Sequence, residues 1–269
     1  MTEFTSIHRD GVEAARGTLD DPAPPTASTR LLYAVCRFIA VGLSRILFPG
    51  PVTGRENLPK SGAYLIAPLH RSHLDFLIVA RVTRRRLRYL AKAEVWKHRR
   101  LGRFIDRLGA LPVHREVADR DSFNRTLAVL RGGEPLVLFP EGTRRDGREV
   151  GELHEGAAYL ALRAGVPLIP VGLAGTDRAL GRGHVIPRVA RVRIVIGAPV
   201  VRPSGSVGNR VPRSMVKSAT EELAAALQVA TDDAMALLGI DRRSRLASPA
   251  ADAASLDGAS DGTTPEADH

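Results

Sequence analysis

Ala63-Tyr64-Leu65-Ile66-Ala67-Pro68-Leu69-His70-Arg71-Ser72-His73-Leu74-Asp75 reads as a short apolar strand, a loop, and the opening of a helix. The strand is Ala63–Ala67, and the helix runs from about Leu74 to Val82. An unbroken apolar run of this length is how a strand buried on both faces reads. The alternation continues downstream. Leu87–Ala91 reads as a strand, followed by a basic helix near Val95–Leu108. Ala110–Val113 is a strand and Asp119–Arg131 a helix. Pro135–Phe139 is a strongly apolar strand, and a loop then leads to a helix near Gly156–Ala164. Leu168–Gly172 and Val189–Ile196 are further strands, and Met215–Leu238 closes with a helix. Strands that alternate with helices predict an α/β fold: a mixed, largely parallel sheet flanked by helices. No internal repeat is visible.

In an open α/β sheet, ligands bind beyond the carboxyl ends of the strands. The first strand delivers His70 to such a position. Asp75 follows five residues later, at the first turn of the next helix. A carboxylate there can hold one imidazole nitrogen and leave the other as a base, fixing the tautomer and stabilising the imidazolium that forms. The bland alternative is a surface histidine beside a capping aspartate. His73 adds a metal reading, with His114, His154 and Asp75 as conceivable further ligands. No recognised zinc spacing joins them, so no metal is expected.

A second cluster, Phe139-Pro140-Glu141-Gly142-Thr143-Arg144-Arg145, follows another apolar strand. Gly142 permits a tight turn that exposes backbone N–H groups, and such nests bind anions. Thr143 can donate a hydrogen bond, and Arg144 can clamp a phosphate through two bonds. Glu141 is unfavourable beside a phosphate unless it pairs with an arginine or orients the loop. The alternative is a plain polar turn. A base plus an anion site suggests an enzyme that activates a group on a phosphorylated substrate.

The 269 residues carry a net charge of +10, with 44% hydrophobic, 25% charged and 4% aromatic residues. The apolar content is enough for a core. Basic proteins seek nucleic acid, anionic membrane or acidic small molecules. The few aromatics are thin for stacking bases, and no nucleic-acid reading module is found. A nucleic-acid binder is therefore the distant alternative. The single cysteine, Cys36, excludes an internal disulfide and suits a reducing compartment. No secretory signal is evident in the first thirty residues. Residues 1–29 and the tail 241–269 read as disordered.

Leu31 to Phe48 is apolar, of helix length, and stopped by Pro49-Gly50. Arg30, Arg37 and Ser44 fall on one stripe, with Arg45 beside it; Leu32, Val35, Ile39, Leu43, Ile46 and Leu47 lie on the other side. Two interior arginines argue against a free span. An amphipathic helix lying in a membrane interface is expected over 30–50, with a helix packed on the domain as the alternative. The domain proper is expected over 51–240.

These clusters resemble the glycerolipid acyltransferase family that includes 1-acyl-glycerol-3-phosphate acyltransferases. Its His-x-x-x-x-Asp motif is matched by His70 to Asp75, with Ser72 in the usual serine position. Its second motif, glycine with an arginine six later, is matched by Gly109 and Arg115. The Phe-Pro-Glu-Gly-Thr-Arg block, Phe139 to Arg144 with Pro140, is the third and the most specific. The fourth is Val166-Pro167-Leu168-Ile169-Pro170-Val171. The motifs stand in family order over about Val52 to Val200. There are departures: Leu69 stands where the family has asparagine, Pro112 replaces an aromatic, and His154 or Glu155 stands where a lysine is common. They touch the acceptor side more than the base.

The resemblance implies transfer of an acyl group from acyl-CoA or acyl-carrier protein to the hydroxyl of 1-acyl-sn-glycerol-3-phosphate, giving phosphatidic acid, with no further cofactor. Glycerol-3-phosphate, another lysophospholipid and an amino-lipid are alternative acceptors. The resemblance also implies His70 and Asp75 as the catalytic pair, and Arg144, Thr143, Gly142, Glu141, Arg115 and Lys92 as the phosphate site. Ser72, Gly109, Pro140 and Pro170 would support the motifs. With lipid substrates, docking on an anionic membrane surface at the cytoplasmic face is expected.

Overall fold

A computed structural model describes residues 26–113, 120–180, 186–201 and 211–239. In chain order, the elements are helix α1 (Ala27–Leu47), β1 (Val52–Thr53), β2 (Leu65–Pro68), α2 (Asp75–Val79), β3 (Arg88–Lys92), α3 (Arg99–Leu108), β4 (Ala110–Val113), α4 (Arg120–Arg131), β5 (Leu136–Val137), α5 (Gly156–Ala164), β6 (Leu168–Ala174), α6 (Thr176–Leu180), β7 (Arg193–Ile196) and α7 (Arg213–Leu237). Short 3-10 turns at Arg55–Asn57 and Ala93–Lys97 complete them.

The strands form one seven-stranded sheet in the order β1-β7-β6-β2-β5-β3-β4. Every pairing is parallel except β6 with β7. The expected mixed, largely parallel α/β fold is therefore what the chain adopts. Strand β2 is central and wholly buried, between β6 and β5. Its alternate side chains serve two cores. Leu65 and Ala67 join one with Leu130, Ala161 and Leu223, from α4, α5 and α7. Ile66 joins the other with Ile78, Val79 and Phe48, from α2 and the end of α1. Helix α7 lies so close to β6 that a Cβ on Gly172 would sit 2.1 Å from the carbonyl oxygen of Ala230. No other residue fits there.

Several boundaries differ from expectation. The strand expected over 135–139 is regular only through Leu136–Val137, although Pro135 O still accepts from Arg88 N at 2.9 Å and Leu138 N still donates to Ile66 O at 3.0 Å before the chain turns into the loop. The strand expected from Val189 begins at Arg193; Val189 is exposed and has no inner face to cover it. The basic helix near 95–108 is divided by the extended backbone of His98. Residues 26–29, expected to be disordered, are the N-cap and first turn of α1, where the Thr26 side chain accepts from the Thr29 N–H. The rest of 1–29 and all of 241–269 lie outside the described residues. The short elements β1 and α6 carried no sequence signal.

Helix α1 packs against α2 and α3. Its outward face is the apolar one. Phe38 is 80% exposed and Ile46 74%, with Leu31, Val35, Ile39 and Leu43 beside them. Arg37 and Ser44 are turned inward: Ser44 is buried and Arg37 donates to backbone carbonyls of the domain. Of the polar stripe, Arg37 and Ser44 are given to protein, while Arg30 and Arg45 stay exposed. Among the described residues no helix is long and apolar enough to cross a membrane.

Candidate active site

Strands β6, β2, β5, β3 and β4 run the same way, so their carboxyl ends share one edge of the sheet. His70 leaves β2 at that edge. Its Nδ1 lies 2.9 Å from Asp75 Oδ2. Asp75 is the first residue of α2 and fully buried. The same Oδ2 accepts the N–H groups of Arg71 and Ser72, each at 2.7 Å. These two backbone donors fix the carboxylate before the imidazole meets it. The imidazole ring stacks on Phe139 at 4.1 Å between centroids, with the planes 27° apart. Its side chain retains 17% exposure. With Nδ1 engaged, Nε2 is the nitrogen left for chemistry.

Ser72 is not available as a nucleophile. Its hydroxyl is engaged on both sides, donating to Leu180 O at 2.8 Å and accepting from Leu74 N at 3.1 Å. The serine fastens the loop to α6.

The loop after β5 joins the first loop through a buried ion pair. Arg71 Nη1 lies 2.6 Å from Glu141 Oε2, and both residues are buried. That oxygen also accepts the His70 N–H at 3.0 Å, while Oε1 accepts from Gly151 N at 3.2 Å. Arg71 further donates to the carbonyls of His70, Gly147 and Glu149. The Arg145 N–H closes the junction by donating to His70 O at 3.0 Å. Glu141, expected with the phosphate ligands, is thus committed to the scaffold, because both its oxygens hold the base-bearing loop.

Around this junction lie groups suited to an anion. Gly142 has φ 68°, in the left-handed region. A Cβ there would stand 2.7 Å from Cδ2 and Nε2 of His154. Thr143 is exposed at the turn, and its N–H donates to Glu141 O at 2.7 Å. Arg144 is half-buried, and its Nη1 is buried with no hydrogen-bond partner among the described residues. A buried N–H donor left without a partner is costly, and an anionic ligand would satisfy it. Partial burial, then Arg144, then His70, pull the pKa of His73 below its ordinary value. Lys92 ends β3 and is exposed. Tyr89 pairs in register with Val137, so Lys92 stands three residues further toward the same edge.

The remaining expectations divide. Pro140 is buried, and its carbonyl accepts from His154 N at 2.9 Å. Pro170 sits in β6 opposite Ala67 of β2. Gly109 caps α3 with φ 88°, against Arg86 and Arg88, just before β4 begins. It therefore stands at the opposite edge from His70. Arg115 and His114 lie outside the described residues. Leu69 is fully buried, so its side chain packs in the core instead of facing an acceptor. Pro112 lies within β4, where its carbonyl accepts from Ser122 Oγ at 2.8 Å. Sequence reasoning missed the roles of Arg71 and Phe139. Both stand inside the quoted motifs, but their contacts join loops about 70 residues apart and leave no local signal.

A histidine held by a buried carboxylate thus stands at the carboxyl edge of a largely parallel α/β sheet. Residues 51–174 match the Acyltransferase family model, so this stretch of the chain carries an acyltransferase domain. A 1-acyl-sn-glycerol-3-phosphate acyltransferase of Bacillus subtilis is 28% identical over 150 residues, covering 55% of this chain and 72% of that protein. The lyso-ornithine lipid O-acyltransferase of Pseudomonas aeruginosa is 35% identical over 89 residues, 33% of this chain and 34% of that one. Of several other curated relatives, the chain spans between 43% and 58%. The crystal structure of PlsC, a 1-acyl-sn-glycerophosphate acyltransferase from Thermotoga maritima, superposes with a TM-score of 0.60. It has 20% sequence identity, over 83% of this chain and 88% of that one. At that identity the likeness is one of fold.

Proposed function

We propose that the protein transfers a fatty acyl group from a thioester, acyl-CoA or acyl-carrier protein, to the free hydroxyl of 1-acyl-sn-glycerol-3-phosphate, giving phosphatidic acid. The observation that carries this is the His70–Asp75 pair at 2.9 Å, with Asp75 Oδ2 also held by two backbone N–H groups. In the reaction, Nε2 of His70 takes the proton of the acceptor hydroxyl. The oxygen attacks the thioester carbonyl, a tetrahedral oxyanion forms, and the C–S bond breaks as it collapses. The leaving sulfur takes the proton back from His70. Asp75 stabilises the imidazolium in between. No covalent enzyme intermediate and no cofactor beyond the thioester is required. Arg144, Thr143 and Lys92 hold the acceptor phosphate, and Gly142 shapes the turn.

The relatives named for this acceptor support the choice. The Pseudomonas relative named for a lyso-ornithine lipid keeps an amino-lipid as the second reading. Arg144 Nη1, buried with no partner among the described residues, favours the phosphate. Release of free thiol from oleoyl-CoA, with each acceptor supplied in turn, tests the proposal. Release that requires 1-acyl-sn-glycerol-3-phosphate supports it, and release only with the amino-lipid replaces it.

We also propose that the protein docks peripherally, on the cytoplasmic face of the cell membrane, where its thioester donors are found. The outward face of α1, with Phe76, Leu101 and Phe104, offers exposed apolar side chains. Arg99, Arg100, Arg103 and Arg107 are exposed on α3. Basic residues near an anionic surface contribute about 1 kcal/mol each. Flotation with anionic but not zwitterionic vesicles is the expected result.

A further inference from the structure

Two arginines tie α1 and α2 together in opposite directions. Arg37, within α1, donates from Nη2 to Ala80 O at 3.2 Å and to Thr83 O, at and just past the end of α2. Arg81, just past α2, donates from Nη1 to Phe48 O at 2.7 Å and from Nη2 to Gly50 O, at and just past the end of α1. Each helix element thus offers a cation to the carbonyl end of the other, where unpaired oxygens carry partial negative charge. Arg55 donates to Arg81 O at 2.8 Å and steadies the junction.

The arrangement is specific. Neither Arg37 nor Arg81 pairs with a carboxylate among the described residues. Arg81 is buried, and that burial, with Arg45 and Arg55 nearby, lowers its pKa. A buried cation held by carbonyls alone is a costly way to fasten a helix. An apolar contact would do so at lower cost but without fixing direction. Helix α2 has five residues, and its first is Asp75. From that end to the clasp is only about 7 Å at 1.5 Å per residue. A shift where the clasp grips is therefore felt by the carboxylate that orients His70.

We infer that Arg37 and Arg81 are positioning residues: a reciprocal clasp through which α1, seated on the domain, holds α2 and keeps Asp75 in register with His70. The inference rests on the proposed role of His70 as the base. It makes α1 part of the catalytic geometry, beyond any part it has in docking.

The test uses the full chain with Arg37→Met, which keeps the stem and removes the fork, and Arg37→Lys, which keeps the charge. Arg81→Met is the parallel variant if it folds. Substrates are dispersed in detergent, so that vesicle binding is not the readout. Both kcat and KM are measured, together with the proton resonance of the His70 Nδ1–H, identified by its absence in His70→Gln. In Arg37→Met, kcat is expected to fall about tenfold while KM stays within about twofold, since misplacement by 1 Å can cost about a hundredfold. The His70 resonance should broaden or vanish, and Arg37→Lys should restore part of both. A lowered melting temperature with kcat and the resonance unchanged would overturn the inference, leaving the clasp a mere fastening. If the wild type transfers no acyl group, the proposed function fails, and the resonance alone still decides whether the clasp orders the pair.

Discussion

Replacing Asp75 with asparagine separates charge from geometry at this site. Three donors converge on Oδ2: the His70 ring and the N–H groups of Arg71 and Ser72. The other oxygen, Oδ1, is buried without a partner among the described residues. An asparagine would therefore turn its carbonyl oxygen to the three donors and its NH2 group to the Oδ1 position. His70 would keep its tautomer and orientation. What is lost is the negative charge facing the imidazolium in the transition state. A unit charge at about 4 Å contributes about 4 kcal/mol at an effective dielectric constant of about 20, equivalent to about a thousandfold in rate. The partial exposure of His70 trims this, so turnover should slow by about two to three orders of magnitude. KM should change little, because the acceptor phosphate is held elsewhere. The assay is thiol release at saturating substrates, with a melting curve to show that the variant folds. A folded Asp75→Asn enzyme with turnover within about fivefold of wild type would show that the charge is not used, and would reduce Asp75 to a loop cap.

Other outcomes follow from the same geometry. Ser72→Ala should lose stability, about 1–3 kcal/mol for the buried groups left unpaired, yet keep measurable turnover; complete inactivity in a folded variant would point to a nucleophile. Glu141→Gln breaks the buried pair with Arg71. It should be destabilised by about 3–5 kcal/mol in urea unfolding, and a shift below about 1 kcal/mol would contradict the scaffold role. Gly142→Ala forces a side chain into left-handed backbone against His154. About 1–2 kcal/mol of strain is expected, with KM for the phosphate acceptor raised more than kcat is lowered. Phe38→Glu, on the outward face of α1, should abolish flotation on anionic vesicles and leave the melting temperature unchanged.

Much of this was legible in the sequence because it rests on local patterns. The apolar runs at Ala63–Ala67 and Leu168–Gly172 announce strands buried on both faces, and β2 and β6 prove wholly buried. Helix α5 was read at its observed boundaries, and Gly165, in the left-handed region, is where it stops. The spacing of His70 and Asp75 was enough to suggest their contact. The bond between Arg71 and Glu141 was not legible, since it joins loops 70 residues apart. Glu141 looked like a site residue because it lies within the most specific motif. The orientation of α1 was hidden for a related reason. Its stripes were visible, but which one faces the domain depends on carbonyls beyond α2 that no periodicity reveals. The pairing of β1 with β7 joins two residues near position 52 to two near 194, and such short strands leave no pattern.

Whether His70 is the base of an acyl transfer is decided most plainly by the rate of phosphatidic acid formation from oleoyl-CoA and 1-oleoyl-glycerol-3-phosphate, in wild-type protein and in His70→Ala. The wild type should form product, and the variant should be slower by at least about 100-fold, the lower end of what a general base contributes, with an unchanged melting curve. Equal rates in the two proteins would contradict a catalytic role for His70.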